Sequence, residues 1–249
     1  IFETMLFFDP TMMNPDPGLA RSWSVSPDGL TYDLNLRDDV VYHDGSTFNS
    51  ADAIWNYDRC IIELKEKSRC GNELQNVISY TALDDFTIRM ELGQFSVVFP
   101  TQLATTPGFM LQSNVVSGDV DTNPIGTGEY TFGEFIPGDK LVMEKNLLYW
   151  DKGKLAIRPD RVVVVPIVEE QTRVAALKAG EVDLVAALPY QFVKDVKDTP
   201  GLQVIEQKGG LTASYMTVIM NTRERAMADV RVRKAIQLAI NKEAMHNAI

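Results

Sequence analysis

The chain has 249 residues, and its composition, 45% hydrophobic and 23% charged, is that of an ordinary globular protein with enough apolar residues for a core. The formal net charge of −10, from 24 basic and 34 acidic residues, argues against nucleic-acid binding, which favours a basic face. No stretch approaches the ~18 consecutive apolar residues from which a transmembrane helix is recognised, so the sequence predicts no membrane span.

The predicted elements begin with a turn and a strand. Pro27-Asp28-Gly29 has turn chemistry, because Pro presets φ, Asp bonds to its own backbone and Gly accepts a positive φ. From Leu30 to Leu36 every second residue is apolar, which predicts a strand with one buried face. A second turn follows at His43-Asp44-Gly45. These patterns describe local structure and indicate no catalytic chemistry.

A helix is predicted to begin at Ala51. Ser50, one residue earlier, is the predicted N-cap, and Asp52 in the first turn suits the positive end of the helix. Four apolar residues at helical spacing form one face, which indicates packing on a sheet. They are Ile54, Tyr57, Ile61 and Leu64.

Cys60 and Cys70 are the two cysteines of the chain. They are either unpaired thiols or a disulfide, which an oxidising compartment permits. On one continuous helix their Cα atoms would lie ~15 Å apart, whereas a disulfide requires ~4.4–6.8 Å. A disulfide therefore requires the chain to turn back near Lys67-Ser68-Arg69, and the sequence leaves both alternatives open.

The middle of the chain predicts two more strands and a short helix. Phe86–Leu92 alternates apolar and polar residues and is a predicted strand. Val97–Leu103 is a predicted short helix, and Thr105–Gly108 is the loop that ends it. Gly126-Thr127-Gly128 is a predicted turn, which leads into a strand at Tyr130–Phe135.

The remaining part of the chain has the pattern of a βαβ unit. Val162–Ile167 is a continuous apolar run, typical of a strand buried on both faces. A helix is predicted over Glu169–Ala179 and ends at Gly180, and Val182–Ala186 is the second strand of the unit. Thr212–Asn221 is predicted as another strand. A last helix is predicted from an apolar stripe that consists of Val232, Ala235, Ile236 and Ala239.

The sequence contains no recognisable motif of an enzyme, a cofactor site or a metal site. Gly126-x-Gly128 lacks the Lys-Ser/Thr of a phosphate loop, and the element after it is a predicted strand rather than a helix. His43 and His246 are the two histidines, and neither has a sequence partner for acid–base catalysis. Two cysteines and two distant histidines lack the spacing of a metal site. The sequence therefore predicts no enzyme activity, no cofactor and no metal.

Motifs along nearly the whole chain, from about residue 3 to residue 245, resemble one protein family. The matching motifs are Leu19–Trp55, Asn123–Phe132, Pro137–Asp139, Lys145–Trp150, Val174–Leu184, Asn221-Thr222 and Asp229–Ala235. In this order they resemble the extracellular solute-binding proteins of family 5, which deliver peptides, nickel and related solutes to ABC importers. Glu129 stands where that family usually has Pro, and Leu147-Leu148 replaces a Pro-acidic pair. Both departures concern turns and therefore local backbone shape.

The resemblance implies an α/β fold with mixed sheets and two lobes, of the periplasmic-binding-protein type (type II, cluster C). The expected larger lobe is discontinuous and comprises residues 1–35 and 129–228. The expected smaller lobe, residues 36–128, is inserted into it. Residues 229–249 are expected to begin a C-terminal lobe that is otherwise missing from this chain, because members of the family are considerably longer.

In similar proteins the ligand lies between two lobes, and the resemblance places two segments of this chain at the ligand. One is the loop after the short helix, and the other is the strand before Asn221. The expected ligand-binding residues are Thr105, Thr106, Phe109, Ser214, Tyr215 and Thr217. Hydroxyl and aromatic groups suit a site that holds peptide-like groups and buries apolar surface. An ordinary helix-terminating loop and a core tyrosine are the alternatives for these segments.

The function that the resemblance implies is that of the substrate-binding component of an ABC importer. It would capture peptides or a similar small solute without catalysis, in the periplasm or as a lipid-anchored extracellular protein. The expected partners are the ligand and a membrane permease, with no nucleic acid, and the full-length protein is expected to be a monomer. A sensor or interaction module that does not transport, and an enzyme on the same scaffold, are the alternatives.

Overall fold

A computed structural model describes residues 1–114, 122–206, 218–223 and 225–247. The chain forms two compact units, Ile1–Pro166 and Ile167–Ile249. The first unit combines antiparallel sheets with short helices, and the second is described as helices joined by loops. The mixed α/β class predicted from the sequence is confirmed, while the predicted lobe boundaries stay a prediction.

The first unit contains all the described strands. In chain order they are β1 (Glu3–Thr4), β2 (Leu6–Phe8), β3 (Pro15–Pro17), β4 (Ala20–Val25), β5 (Thr31–Leu36), β6 (Val77–Asp84), β7 (Thr87–Leu92), β8 (Phe109–Met110), β9 (Tyr130–Ile136), β10 (Lys140–Lys145) and β11 (Arg161–Val164). They form a four-stranded sheet of order β4-β5-β7-β6, a three-stranded sheet of order β11-β10-β9, and the pairs β1-β8 and β2-β3. Every ladder is antiparallel.

The described helices are short. Those of the first unit are α1 (Ser50–Tyr57), α2 (Arg69–Glu73), α3 (Phe99–Gln102) and α4 (Lys152–Ala156). Those of the second unit are α5 (Glu170–Ala179), α6 (Tyr190–Lys197), α7 (Val230–Ala239) and α8 (Lys242–Asn247). A π-helical segment, Asp58–Leu64, continues α1, and single 3₁₀ turns lie at Lys65–Lys67, Thr106–Gly108 and Arg225–Ala228.

The four-stranded sheet forms one wall of the main hydrophobic core. Buried and partly buried residues alternate along β5 and β7, as the period of two in the sequence predicts. Leu34 lies opposite Ile88 and Tyr32 opposite Met90, so the apolar side chains of neighbouring strands share one face. Helix α1 contacts β6 and β7 and buries Tyr57 completely. The predicted strands at 30–36 and 86–92 and the predicted helix are thereby confirmed.

The N-cap of α1 is Asn49, so the predicted cap at Ser50 is wrong by one residue. The Asn49 side chain accepts hydrogen bonds from the amides of Ala51 and Asp52, and the Asp52 carboxylate accepts one from the Asn49 amide. This reciprocal pair is a capping box. It operates at Asn49 because this residue has an extended backbone, φ −148°, whereas Ser50 already belongs to the helix.

The chain reverses direction after the π-helical segment and brings the two cysteines together. Lys65 has a φ of 45°, and α2 begins four residues after it, at Arg69, with Ser68 as its N-cap. The Cα atoms of Cys60 and Cys70 lie 5.7 Å apart and their sulfurs are joined in a disulfide. The chain reversal at Lys65 therefore lies close to Lys67-Ser68-Arg69, where the sequence indicated that a disulfide would need a turn.

The prediction that Val162–Ile167 is buried on both faces is wrong. Only its first part belongs to a strand, β11, and Val163 and Val164 are each 48% exposed. In the described part of the chain β11 pairs with β10 alone and is an edge strand. An edge strand has fewer neighbours to cover it than the central strand of a parallel sheet, for which such apolar runs are typical.

In the second unit the predicted helix is confirmed and the predicted second strand is not. Helix α5 is capped by Glu169, whose carboxylate accepts from two backbone amides, and it ends at Gly180 in the left-handed conformation, φ 73°. Residues 182–186 form no strand, so the βαβ prediction is wrong. A strand needs a neighbouring strand for its backbone hydrogen bonds, and the described residues of this unit contain none.

Helix α7 coincides with the last predicted helix. None of its residues is buried, including those of the predicted apolar stripe. Most of the predicted strand Thr212–Asn221 lies outside the described residues.

Candidate functional site

A cavity of about 430 Å³ opens in the first unit and is lined largely by aromatic side chains. We call it the aromatic cavity. Its aromatic lining residues are Phe2, Phe7, Phe8, Phe109, Tyr130 and Tyr149, and its charged lining residues are Glu3, Glu129 and Lys154. Its volume lies within the ~300–1,000 Å³ of typical small-molecule sites. Apolar walls with a few charged groups can bury an apolar ligand and fix its orientation.

Backbone pairing between distant segments builds the first wall of the cavity. Strand β1 pairs with β8, which places Thr4 opposite Phe109. The amide of Met5 donates to the carbonyl of Gly108 at 2.7 Å, and the amide of Leu6 donates to the carbonyl of Leu103 at 3.1 Å. The N-terminal strand and the loop after α3 therefore form one layer.

The turn Gly126–Gly128 passes directly against the start of the chain. The Gly128 amide donates to the Ile1 carbonyl at 2.8 Å. A Cβ atom on Gly128 would lie 2.6 Å from that carbonyl oxygen, so the contact requires glycine. The Gly-x-Gly motif thus permits close approach of two backbone segments, and it leads into strand β9, as predicted.

His43 holds this turn from the other side. Its Nδ1 accepts a hydrogen bond from the Gly126 amide at 3.3 Å, so its Nε2 carries the hydrogen and donates to the Gly128 carbonyl at 3.1 Å. Desolvation of the ring lowers the pKa of His43 to about 4. Both ring nitrogens are occupied by backbone groups, and the side chain serves the turn, as its place in a turn motif suggests.

Glu3 is a buried acid at the base of the cavity. Tyr149 Oη donates to Glu3 Oε1 at 2.9 Å, and Trp150 Nε1 donates to the same oxygen at 3.2 Å. Burial raises the pKa of Glu3, and the nearby Thr127 hydroxyl together with the hydrogen bonds from Tyr149 and Trp150 partly opposes this rise. These contacts connect the first strand to the loop before α4.

Glu129 is the second acidic residue that lines the aromatic cavity. Its carboxylate contacts Lys154 Nζ at 2.6 Å and Arg158 Nε at 2.5 Å. Burial raises the pKa of Glu129, but the two cationic partners outweigh burial and the net shift is downward. The residue that departs from the Pro of the family pattern is therefore the centre of an ion-pair cluster.

Of the ligand-binding residues expected from the sequence, Phe109 lines the cavity and is 46% exposed. The Thr105 hydroxyl donates to the Gln102 carbonyl at 2.9 Å, and Glu73 Oε2 lies 3.5 Å from the same hydroxyl. Thr106 begins the 3₁₀ turn and is exposed. Neither threonine is among the lining residues of the aromatic cavity. Ser214, Tyr215 and Thr217 lie outside the described residues.

Sequence reasoning missed Glu3, Tyr149 and Lys154 as cavity residues. One signal was present, since Glu3 is an acidic residue within the apolar segment Ile1–Leu6, and a buried acid needs hydrogen-bond donors. Which donors it has could not be read from the sequence, because Tyr149 lies 146 residues away.

Comparison with known proteins decides the family. The model of the bacterial extracellular solute-binding proteins, family 5 Middle, matches residues 14–249. The chain belongs to this family. The resemblance found in the sequence motifs is thereby confirmed.

Individual relatives agree with this membership. The glutathione-binding protein GsiB of Pectobacterium atrosepticum is 29% identical over 230 residues, which cover 91% of this chain and 44% of that protein. The structure of NikZ from Campylobacter jejuni in complex with Ni(L-His) matches 98% of this chain and 48% of its own, with 26% identity and a TM-score of 0.84. The periplasmic binding protein DppA from Helicobacter pylori, in complex with the peptide STSA, matches 80% and 43%, with 25% identity and a TM-score of 0.67. The chain spans about half the length of these relatives.

The periplasmic-binding-protein fold expected from the sequence is confirmed by these structures. Within the described part of this family 5 chain, no group of three or more His, Cys, Asp or Glu side chains is arranged to hold a metal ion. None of the helices in that part is long and apolar enough to cross a membrane.

Proposed function

We propose that the whole protein is the substrate-binding component of an ABC importer and captures a peptide or a similar small solute. The observation that carries this proposal is the family match over residues 14–249. Relatives described as binding glutathione, a nickel–histidine complex and a peptide support a small solute as the ligand class.

The aromatic cavity is structural support for the same function. It offers apolar walls, an exposed Phe109 and the charged pair of Lys154 and Glu129. We propose that it forms part of the surface that contacts the solute, with further contacts from the longer protein. Thr105, Thr106, Ser214, Tyr215 and Thr217 remain proposed contributors to that surface.

The proposed location is outside the cytoplasmic membrane, in the periplasm or on the cell surface through a lipid anchor, and the proposed partner is a membrane permease. Closure of two lobes around the solute would change the surface that the permease recognises. The whole protein is proposed to act as a monomer.

The test uses the full-length protein, incubated with a defined peptide mixture, separated from free solutes and examined by mass spectrometry. Retention of unmodified peptides in a stoichiometric amount is the expected result. Release of cleaved products would indicate an enzyme on this scaffold. Absence of any retained solute, from the mixture or from cells, would contradict the proposal and favour an interaction module.

A further inference from the structure

We infer that the aromatic cavity takes an apolar group that ends in a carboxylate, and that the ammonium group of Lys154 binds this carboxylate. The inference rests on the proposed function and specifies the class of solute. It is carried by the donors and acceptors at the cavity, by the position of Lys154 and by the apolar walls.

The two acids of the cavity offer a ligand few accessible acceptor positions. Glu3 Oε1 accepts from Tyr149 and from Trp150, whereas Glu3 Oε2 has no hydrogen-bond partner among the described residues and is buried from solvent. The Glu129 carboxylate accepts from Lys154 and, through both of its oxygens, from Arg158. A carboxylate has about four acceptor positions. The three contacts to Glu129 fill most of its positions, and the unpartnered oxygen of Glu3 is shielded from solvent. A cationic ligand would therefore find few accessible acceptors.

Lys154, in contrast, retains capacity to donate. An ammonium group has three N–H donors, and among the described contacts Lys154 forms one ion pair, to Glu129. Its Nζ lies 5.2 Å from the centre of the Phe7 ring and 6.0 Å from that of Tyr149, so it stands beside the apolar walls. The side chain is 37% exposed and open to a ligand.

The charges around Lys154 also permit an anion. Glu129 shares its single negative charge between Lys154 and Arg158, so these three groups carry a net positive charge. The negative charge of an ionised Glu3 would balance this excess without reversing it. In a partly desolvated site, a charge-assisted hydrogen bond from ammonium to carboxylate is about twice as strong as a neutral one.

The walls define the rest of the solute. Phe7, Phe109 and Tyr149 line the cavity, and Phe109 has almost half of its surface exposed before any ligand binds. An apolar body that covers these rings would gain hydrophobic free energy in proportion to the apolar area that it removes from water. An aryl or branched aliphatic group joined to a carboxylate satisfies both requirements.

The probe pair for the test is indole-3-propionate and its neutral amide, titrated calorimetrically into the full-length protein. We expect the acid to bind at least tenfold more tightly than the amide. Lys154→Met should remove this preference by weakening the acid and leaving the amide unchanged. Glu129→Gln should strengthen binding of the acid, because it frees the ammonium from its competitor.

Lys152→Met is the matched control. Lys152 lies on the same helix, donates to the Leu147 carbonyl at 2.7 Å and does not line the cavity. It should preserve the preference for the acid. Equal affinity for acid and amide, equal effects of the two lysine variants, tighter binding of the cation tryptamine, or no binding of either probe would each overturn the inference.

The peptide-retention experiment keeps the two proposals apart. Retention of solutes without binding of the acid probe would leave the proposed function intact and remove the inference. A protein that retains no solute in that experiment would contradict the proposed function, whatever the probes show.

Discussion

His43 Nδ1 accepts a hydrogen bond from the Gly126 amide, 83 residues further along the chain, while Nε2 of the same ring donates to the Gly128 carbonyl. One neutral imidazole thus fixes a turn that borders the aromatic cavity. Burial disfavours the charged imidazolium, and protonation would also place a hydrogen on Nδ1 facing the Gly126 N–H donor, so the folded protein resists protonation.

The first prediction concerns pH. The pKa of His43 is lowered to about 4, from an ordinary value of 6.5, so the unfolded chain takes up a proton at a higher pH than the folded one. Its contribution to stability is complete above pH 6.5 and is lost as the pH falls towards 4. After allowance for partial exposure, we expect a loss of about 1–2 kcal/mol.

The measurement is the free energy of unfolding in denaturant at pH 7.5, 5.5 and 4.5. His43→Gln, which keeps a donor and an acceptor, serves as the reference. It should be less stable at pH 7.5 and should change less between pH 7.5 and 4.5. An identical pH dependence of the two proteins would show that His43 contributes nothing to it.

The second prediction concerns the close approach at Gly128. Gly128→Ala should lower the free energy of unfolding by about 2–3 kcal/mol, because the new methyl group meets the Ile1 carbonyl and the backbone must move. Gly153→Ala is the matched control, since its Cβ would lie 3.5 Å from its nearest neighbour and inside helix α4. There the change should be neutral or stabilise by up to about 1 kcal/mol. Equal effects at both positions would contradict the argument.

The third prediction concerns the buried acid. Glu3→Ala leaves the Tyr149 hydroxyl and the Trp150 indole without their acceptor and should cost about 2–4 kcal/mol. Glu3→Gln keeps one carbonyl oxygen and should recover part of this loss. Chemical denaturation gives the energies, and the emission of Trp150, read in a Trp23→Phe and Trp55→Phe background, reports its surroundings. No difference between the Ala and Gln variants would refute the role assigned to the hydrogen bonds.

The fourth prediction links the disulfide to the loop before Phe109. Helix α2 begins at Arg69, carries Cys70 and ends at Glu73. The Glu73 carbonyl accepts from Gln102 Nε2 at 2.9 Å, and the Glu73 carboxylate lies 3.5 Å from the Thr105 hydroxyl. Replacing both cysteines by serine should cost about 2–3 kcal/mol. It should also reduce hydrogen-exchange protection of the amides of Thr105 and Gly108.

The amides of β10 in the same unit are the internal control. They should lose protection only to the extent that global stability falls. A uniform loss across both regions would mean that the disulfide stabilises the unit as a whole and does not act on the loop in particular.

Local pattern determined much of the fold. The period of two in β5 and β7, the helical face that includes Tyr57, and the glycine that ends α5 were each readable from the sequence, because neighbours within a few residues decide them. The N-cap was misplaced by one residue because Asn49 and Ser50 are both good caps, and only the backbone conformation distinguishes them.

The candidate site depended far more on tertiary structure. Phe109 was expected from the sequence, whereas the partnership of Glu3 with Tyr149 and the ion pair of Glu129 with Lys154 were not. These contacts join residues that are 25 and 146 positions apart in the sequence. Hydrophobic periodicity reports only on neighbours within a few residues and cannot predict such contacts.

The valine-rich segment around Val163 also shows which properties the sequence determines and which depend on tertiary structure. Its composition determined that it would be extended, since β-branched residues favour strands. Whether both of its faces are covered depends on which neighbours the fold supplies, and β11 has only β10 beside it in the described part of the chain. Local conformation follows from the residues themselves, but burial and partnership follow from chain segments that meet only when the protein folds.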